Sequence, residues 1–345
     1  MFQTLTTTMT SCRTRVIILL VTISLLVVLG WFQVRDKGFT SHFLFGEEYP
    51  DDPAVAFLRD PPFAFAFGDR MGWEGDPLAE YELKNTANGP VWVRALARSY
   101  SHTMLVNYSG ATIYKELLTW NRSIPDIADQ VDAFKKWFDP APKRAQWHGT
   151  NAVFLVAIGT NDVMLTTAQP SQRMKNLKQS PRTVGHLYKA GARAFVFSSL
   201  VPFDRAMAGV NLGTELQAQL KQNIVDYNTI LQKAVKSFCE KHHGTFCLLH
   251  DTHGLGTKVM DKPNSYGFKE PINFCPAYKE SPSVEVNTTA LPGCAGPVGD
   301  FVWRDALHPS YHFHKIWADD VRSEINKNLD QIAVAYARTP QPARI

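Results

Sequence analysis

The chain has 345 residues, 45% hydrophobic and 20% charged, proportions of ordinary globular material with enough length for one large core. A formal net charge of +4 and a pI near 8.7 come without basic runs, which excludes the footprint of a nucleic-acid binder. The chain has no internal repeat and no low-complexity tract.

Arg13 and Arg15 precede an uncharged run from Val16 to Phe32, "VIILLVTISLLVVLGWF". A helix that crosses a bilayer takes about 20 apolar residues, with a range of about 17–25, so this run qualifies at the short end. The competing reading is a cleaved signal peptide, with Val28-Leu29-Gly30 as a marginal cleavage site. Length and the aromatic end Trp31-Phe32 favour an uncleaved anchor. Basic residues on its N-terminal side predict a cytosolic tail over 1–15, a membrane span over 16–33 and the remainder in the lumen or outside. The protein is thus expected to be a type II membrane protein of the secretory pathway, with a soluble secreted form as the alternative. Residues 34–60, mixed and interrupted by proline, read as a stalk.

From Pro62 onward short apolar runs alternate with helical patterns. "FAFAFGDRMG" opens the series: Phe63–Phe67 reads as a buried strand that runs into a tight turn at Gly68-Asp69-Arg70. Further strands are predicted at Met104–Val106, Val153–Ile158, Ala194–Ser198 and Phe246–Leu249, each too brief for a helix. Ser123-Ile-Pro-Asp126 predicts a helix start, with a cap residue, an early proline and acids in the first turn. Leu216, Leu220, Ile224, Tyr227, Leu231, Val235 and Phe238 recur every three or four residues and predict a helix over about 216–238. Alternating β and α with unbroken apolar strands predicts an α/β domain over 61–325, its parallel sheet covered by helices on both faces, followed by a tail over 326–345.

Cys12 lies before the apolar run, which leaves Cys239, Cys247, Cys275 and Cys294 for an oxidising compartment. Four cysteines allow three connectivities, and proximity favours Cys239 with Cys247 and Cys275 with Cys294. Asn121 and Asn287 head glycosylation sequons in polar surroundings. A third sequon, at Asn107, follows an apolar strand and is expected to be inaccessible.

In open parallel sheets the chemistry lies past the C-terminal strand ends. Asp305-Ala-Leu-His308-Pro309 places a carboxylate three residues before an imidazole, so one ring nitrogen can be oriented and the other left as a general base. His312 and His314 stand nearby with no carboxylate at a ligand spacing, so no metal and no cofactor are expected there. Gly159-Thr-Asn161-Asp162 follows a strand and offers neutral donors suited to a developing oxyanion, and Gly110 in "NYSGAT" offers another N–H. Taken singly, each is an ordinary turn.

Together, in this order, Phe67-Gly68-Asp69, Ser109-Gly110-Ala111-Thr112, Gly159-Thr160-Asn161-Asp162 and Asp305-Ala-Leu-His308-Pro309 resemble the four blocks of the SGNH (GDSL) ester hydrolases. The connecting segments "NGPVWVRAL", "IPDIADQVDAF", "LYKAGARAFVF" and "YGFKEPINFC" are similar to fungal carbohydrate esterases of the acetylesterase type. The resemblance covers about residues 60–322. It implies a flavodoxin-like three-layer domain, with His308 as base, Asp305 as its orienter, and Gly110, Asn161 and the backbone N–H of Arg70 as oxyanion donors.

One block departs. Where the family carries its nucleophilic serine, this chain has Arg70, whose guanidinium is always charged and offers no attacking lone pair. Ser99, Ser101 and Ser109 belong to other connections and do not replace it. Three readings follow. One is an acetylesterase-like hydrolase of acetylated carbohydrates or small esters, with weakened or lost turnover. Another is a non-catalytic protein that binds an anionic ligand or glycan on the same scaffold. The third is a gene-sequence error, since serine and arginine codons can differ by one base. Oligomeric state is not legible.

Overall fold

The computed structural model describes residues 63–69, 87–97, 102–105, 108–117, 123–143, 145–168, 180–280 and 288–328. Among them five strands form a parallel sheet: β1 (Phe63–Gly68), β2 (His102–Leu105), β3 (Ala152–Ala157), β4 (Ala194–Ser198) and β5 (Phe246–His250). Their spatial order is β2-β1-β3-β4-β5, the flavodoxin-like arrangement whose switch point lies between β1 and β3. The helices are α1 (Trp92–Ala97), α2 (Ile127–Phe138), α3 (Thr160–Ala168), α4 (Ser180–Lys189), α5 (Thr214–Lys241), α6 (Thr252–Asp261) and α7 (Tyr311–Lys327), with shorter turns between them.

Alternation along the strands sorts the layers. Phe65 and Phe67 of β1 meet Phe134 of α2 and Phe154 of β3, while Phe195 of β4 meets Phe238 of α5 edge-on at 5.1 Å. This aromatic layer anchors one face, where ring edges meet ring faces. On the other face α1 and α7 pack on each other, with Trp92 and Trp317 stacked 4.7 Å apart. Right-handed crossovers from strands in this order put the helices in those two layers.

Several boundaries differ from expectation. The second strand lies two residues earlier than Met104–Val106, because pairing with β1 carries His102 and Thr103 into the ladder opposite Phe63 and Ala64. Val106 lies outside the described residues. Hydrophobicity marks the middle of such an edge strand, while ladder register sets its ends. Helix α2 starts after Asp126, not at Ser123, so Pro125 precedes the cap. Asp126 accepts from the N–H groups of Ala128 and Asp129 at 2.9 and 3.1 Å, and the Asp129 carboxylate accepts from the Asp126 N–H at 3.0 Å. This is a reciprocal capping box. Helix α5 extends beyond its apolar stripe at both ends, and α7 runs to Lys327, two residues past the expected domain end, with Ile325 buried. The anchor run 16–33, the stalk 34–60, and sequons Asn121 and Asn287 lie outside the described residues. Among the described residues no helix is long and apolar enough to cross a membrane.

Both expected disulfides are present, Cys239–Cys247 and Cys275–Cys294, with Cα separations of 6.2 and 5.6 Å. The second spans 19 residues and borders a small core of Tyr278, Val298 and Phe301, where the Tyr278 hydroxyl donates to the Gly296 carbonyl at 2.8 Å. Replacing Cys275 and Cys294 together by serine is expected to cost about 3 kcal/mol, by freeing a loop of that size in the unfolded chain. Urea unfolding measures it; a loss below about 1 kcal/mol would mean that the unfolded state gains little freedom.

Candidate active site

The segment "FVWRDALHPS", Phe301–Ser310, is a closed loop. The Arg304 N–H donates to the His308 carbonyl at 2.8 Å, and the Ser310 N–H donates to the Val302 carbonyl at 2.9 Å. The Ser310 hydroxyl donates to the Phe301 carbonyl at 2.7 Å. Within this loop Asp305 Oδ1 accepts from the N–H groups of Leu307 and His308, at 2.9 and 2.8 Å. The same carboxylate takes His308 Nδ1 at 2.8 Å to Oδ2. An ionised carboxylate can only accept, so Nδ1 carries the proton and the Nε2 lone pair is left as base. His308 Nε2 has no hydrogen-bond partner among the described residues.

Asp305 is itself held. Arg304 Nη1 donates to its Oδ2 at 3.0 Å, Arg304 Nε to Asn88 Oδ1 at 2.7 Å, and Nη2 to the Lys279 carbonyl at 2.8 Å. Asn88 lies in the left-handed region at φ +52° and donates onward to the Tyr278 carbonyl at 3.1 Å. Both charged groups of the Arg304–Asp305 pair are buried. Burial alone pushes the Asp305 pKa up. The hydrogen bond and charge of His308, with the two backbone N–H groups, outweigh burial and hold it well below the usual carboxylate range. Breaking a buried pair from one side leaves an uncompensated charge. Arg304→Met is therefore expected to destabilise the fold by about 3 kcal/mol. A smaller change in the denaturant midpoint than about 1 kcal/mol would show that Asp305 finds other partners.

The other three blocks meet at the switch point. Gly68 takes φ +133°, and a Cβ there would stand 1.8 Å from the Ala157 carbonyl oxygen, so only glycine fits. Gln130 of α2 pins it from both sides: the Gly68 N–H donates to Oε1 at 2.7 Å and Nε2 donates to the Gly68 carbonyl at 2.9 Å. The Tyr108 N–H also reaches the Gly68 carbonyl, at 3.2 Å, which joins the first block to the second. Asn161 Nδ2 donates to Asp69 Oδ2 at 2.9 Å and to the Ala111 carbonyl at 2.8 Å, joining first, second and third. Both amide protons of Asn161 are thus engaged, and it becomes an oxyanion donor only by releasing one of these partners. Gly110, at φ +83°, keeps a backbone N–H with no partner among the described residues. No hydrogen bond joins Asp305 or His308 to Asn161 or Gly110.

Thr160, Asn161 and Asp162 form the first turn of α3, not an isolated turn. Asp162 is buried, and its two oxygens receive the Ile113 N–H at 3.1 and 3.2 Å. Burial raises its pKa to about 7, the Ile113 N–H works against that rise, and the charge of Asp69 adds to it. His312 and His314, considered in the sequence as metal candidates, do other things: His312 Nδ1 bonds the Gly299 carbonyl at 2.8 Å, and His314 stacks on Trp317. Arg70 lies outside the described residues.

Arg304, Asn88 and Gln130 escaped the sequence reading. Arg304 had a signal, since a cation that follows the apolar "FVW" directly before Asp305 needs a buried partner. Asn88 and Gln130 had none, because their partners lie 216 and 62 positions away.

An α/β fold with an Asp–His pair on one loop and neutral donors at the sheet's switch point defines a hydrolase-type scaffold. The GDSL-like lipase/acylhydrolase family matches residues 65–321, and the chain belongs to that family. An acetylesterase of Thermothelomyces thermophilus is 29% identical over 227 residues, 59% of this chain and 75% of that protein. A GDSL esterase/lipase of Arabidopsis thaliana is 24% identical over 246 residues, 64% of this chain and 67% of that one. Among solved structures, an acetyl xylan esterase from Geobacillus stearothermophilus aligns over 77% of this chain and 95% of its own, at 13% identity and a TM-score of 0.41.

Proposed function

We propose that this protein is an acetylesterase-type carbohydrate ester hydrolase scaffold whose base is assembled but whose nucleophile is missing, so that turnover is lost or residual. One observation carries the reading. Asp305 and His308 are paired at 2.8 Å with Nε2 left available, while the residue after Asp69 is arginine. In a serine hydrolase Nε2 takes the hydroxyl proton as oxygen attacks the acyl carbon, and N–H groups receive the charge that develops. Here the Gly110 N–H is available for that charge, and Asn161 after rearrangement. The attacking hydroxyl has no counterpart at position 70. The acetylesterase relative supports a small acyl group on a carbohydrate as the substrate class.

The secretory-pathway placement belongs to the same proposal. Two disulfides support an oxidising compartment, and the uncharged run of 16–33 after Arg13 and Arg15 supports attachment to the membrane with the domain in the lumen or outside. A second reading, binding of an anionic glycan without turnover, is favoured by the guanidinium itself, a permanent cation in place of a neutral hydroxyl. Hydrolysis of p-nitrophenyl acetate and of a panel of acetylated sugars, by wild type and by Arg70→Ser, tests the first reading. Calorimetric titration of wild type with uronic-acid oligosaccharides tests the second.

A further inference from the structure

We propose that His250, Asp320 and Glu324 form a binding site for a divalent transition-metal ion, best satisfied by zinc, where the end of β5 meets α7. His250 is the last residue of β5 and is fully buried. Asp320 and Glu324 stand one helical turn apart on α7, so both project from one side of that helix. His250 Nε2 lies 3.1 Å from Asp320 Oδ2, and one ligand atom from each of the three residues lies within 4.8 Å of the others.

Those distances suit an ion. Around tetrahedral zinc, with bonds of about 2.0–2.2 Å, neighbouring ligand atoms stand about 3.4 Å apart. His250 and Asp320 already have nearly that spacing. Glu324, partly exposed and on a flexible stem, closes the remainder by a rotamer adjustment. The imidazole is oriented for the task, because Nδ1 lies 2.8 Å from Thr252 Oγ1. With Nδ1–H donated to that hydroxyl, the Nε2 lone pair points at the carboxylates, which is how ligating histidines are held.

Charge and donor type decide which ion. Two carboxylates and a neutral imidazole carry about two negative charges; Asp251 adds to the field at Glu324 and Lys327 opposes it. A dication balances the group. One nitrogen with two oxygens suits zinc better than calcium or magnesium, which favour all-oxygen shells. Three protein ligands leave a fourth position for solvent on the exposed side. The ion would tie β5 to the helix that directly follows the Asp305–His308 loop, capped at Ser310. None of its three residues is among the ester-site groups Asp305, His308, Asn161 and Gly110, and its test does not depend on activity. The competing account is a plain ion pair between protonated His250 and Asp320.

The full chain, purified in detergent and stripped with a chelator, is titrated with zinc chloride by calorimetry and thermal unfolding. One equivalent is expected to bind with micromolar or tighter Kd, and zinc at about 100 times Kd to raise Tm by roughly 5–10 °C. Glu324→Gln and Asp320→Asn, both on the partly exposed side, should each weaken zinc at least about tenfold, as loss of a ligand demands. The proposal is overturned if zinc binds no tighter than about 1 mM, or if the Asp320→Asn/Glu324→Gln protein binds it as wild type does. In the second case the zinc sits elsewhere on the surface.

Discussion

Arg70→Ser is expected to raise hydrolysis of p-nitrophenyl acetate by at least about a thousandfold over wild type, which should stay near the background rate. In a comparable serine hydrolase, loss of the nucleophile costs on the order of 10⁶ in turnover, about 8 kcal/mol of barrier. What survives such a loss is a rate about 10³ to 10⁴ above water, contributed by oxyanion donors and binding. Wild type here should fall at or below that level, since Asn161 has both amide protons committed to Asp69 and Ala111. The same commitment limits the recovery. A serine at position 70 restores the attacking oxygen, and His308 Nε2 is already available to take its proton. The oxyanion, however, still has to draw Asn161 away from Asp69. The gain must therefore depend on the pair: His308→Ala in the Arg70→Ser protein should erase it. If wild type turns over acetyl esters at ordinary enzyme rates, and His308→Ala abolishes that, the missing-nucleophile reading fails and attack by a His-activated water replaces it. If Arg70→Ser is folded and inert, the defect extends past position 70, and glycan binding becomes the better account.

The parts of this molecule that were legible in its sequence share a physical property: each is announced by neighbours along the chain. Ala194–Ser198 was placed to the residue because a short apolar run in a buried parallel strand has no other use. The periodic core of α5 was equally plain, while its polar ends were not, since exposed helical turns carry no apolar signal. The Asp305–His308 pair could be read because acid and base stand three positions apart and one loop holds both. Proximity also gave the two disulfides. What could not be read is what distance in the sequence hides. Gln130 clasps Gly68 from a different helix, Asn88 reaches Arg304 from near the start of the domain, and the two amide protons of Asn161 are taken by groups from two other blocks. Glycine at 68 was expected from its turn, yet the actual demand is the 1.8 Å that a Cβ would leave to the Ala157 oxygen on the neighbouring strand.

Asp162 should make the protein lose stability as pH rises from about 4 to 7, and Asp162→Asn should remove that slope. In the unfolded chain the carboxyl titrates near its ordinary value of 3.8; in the fold, burial raises it to about 7. Between those values the native state keeps a proton that the unfolded state has released. The unfolded chain then binds fewer protons, and stability falls with pH by about 1.4 kcal/mol per unit. The contribution is complete below pH 3.8 and gone above about 7, a total on the order of 4 kcal/mol. Asp305 has the opposite sign. Its folded pKa is depressed, so its contribution is present above the ordinary carboxylate range and is lost as pH falls below it. Asp305 therefore adds little slope where Asp162 titrates, while Asp204 and Glu324, also raised by burial, add slope of the same sign in wild type and variant alike. An asparagine at 162 keeps an oxygen for the Ile113 N–H and carries no charge. Its amide protons need acceptors, at a cost of about 1–3 kcal/mol if none is found. The variant should therefore lose less stability than wild type from pH 4.5 to 8 and be more stable than wild type at pH 8, by an amount up to about 4 kcal/mol. Urea midpoints for both proteins across that range decide the matter. Parallel curves would mean that Asp162 ionises in the fold without penalty, and that the second and third blocks are joined by a charged carboxylate rather than a protonated one.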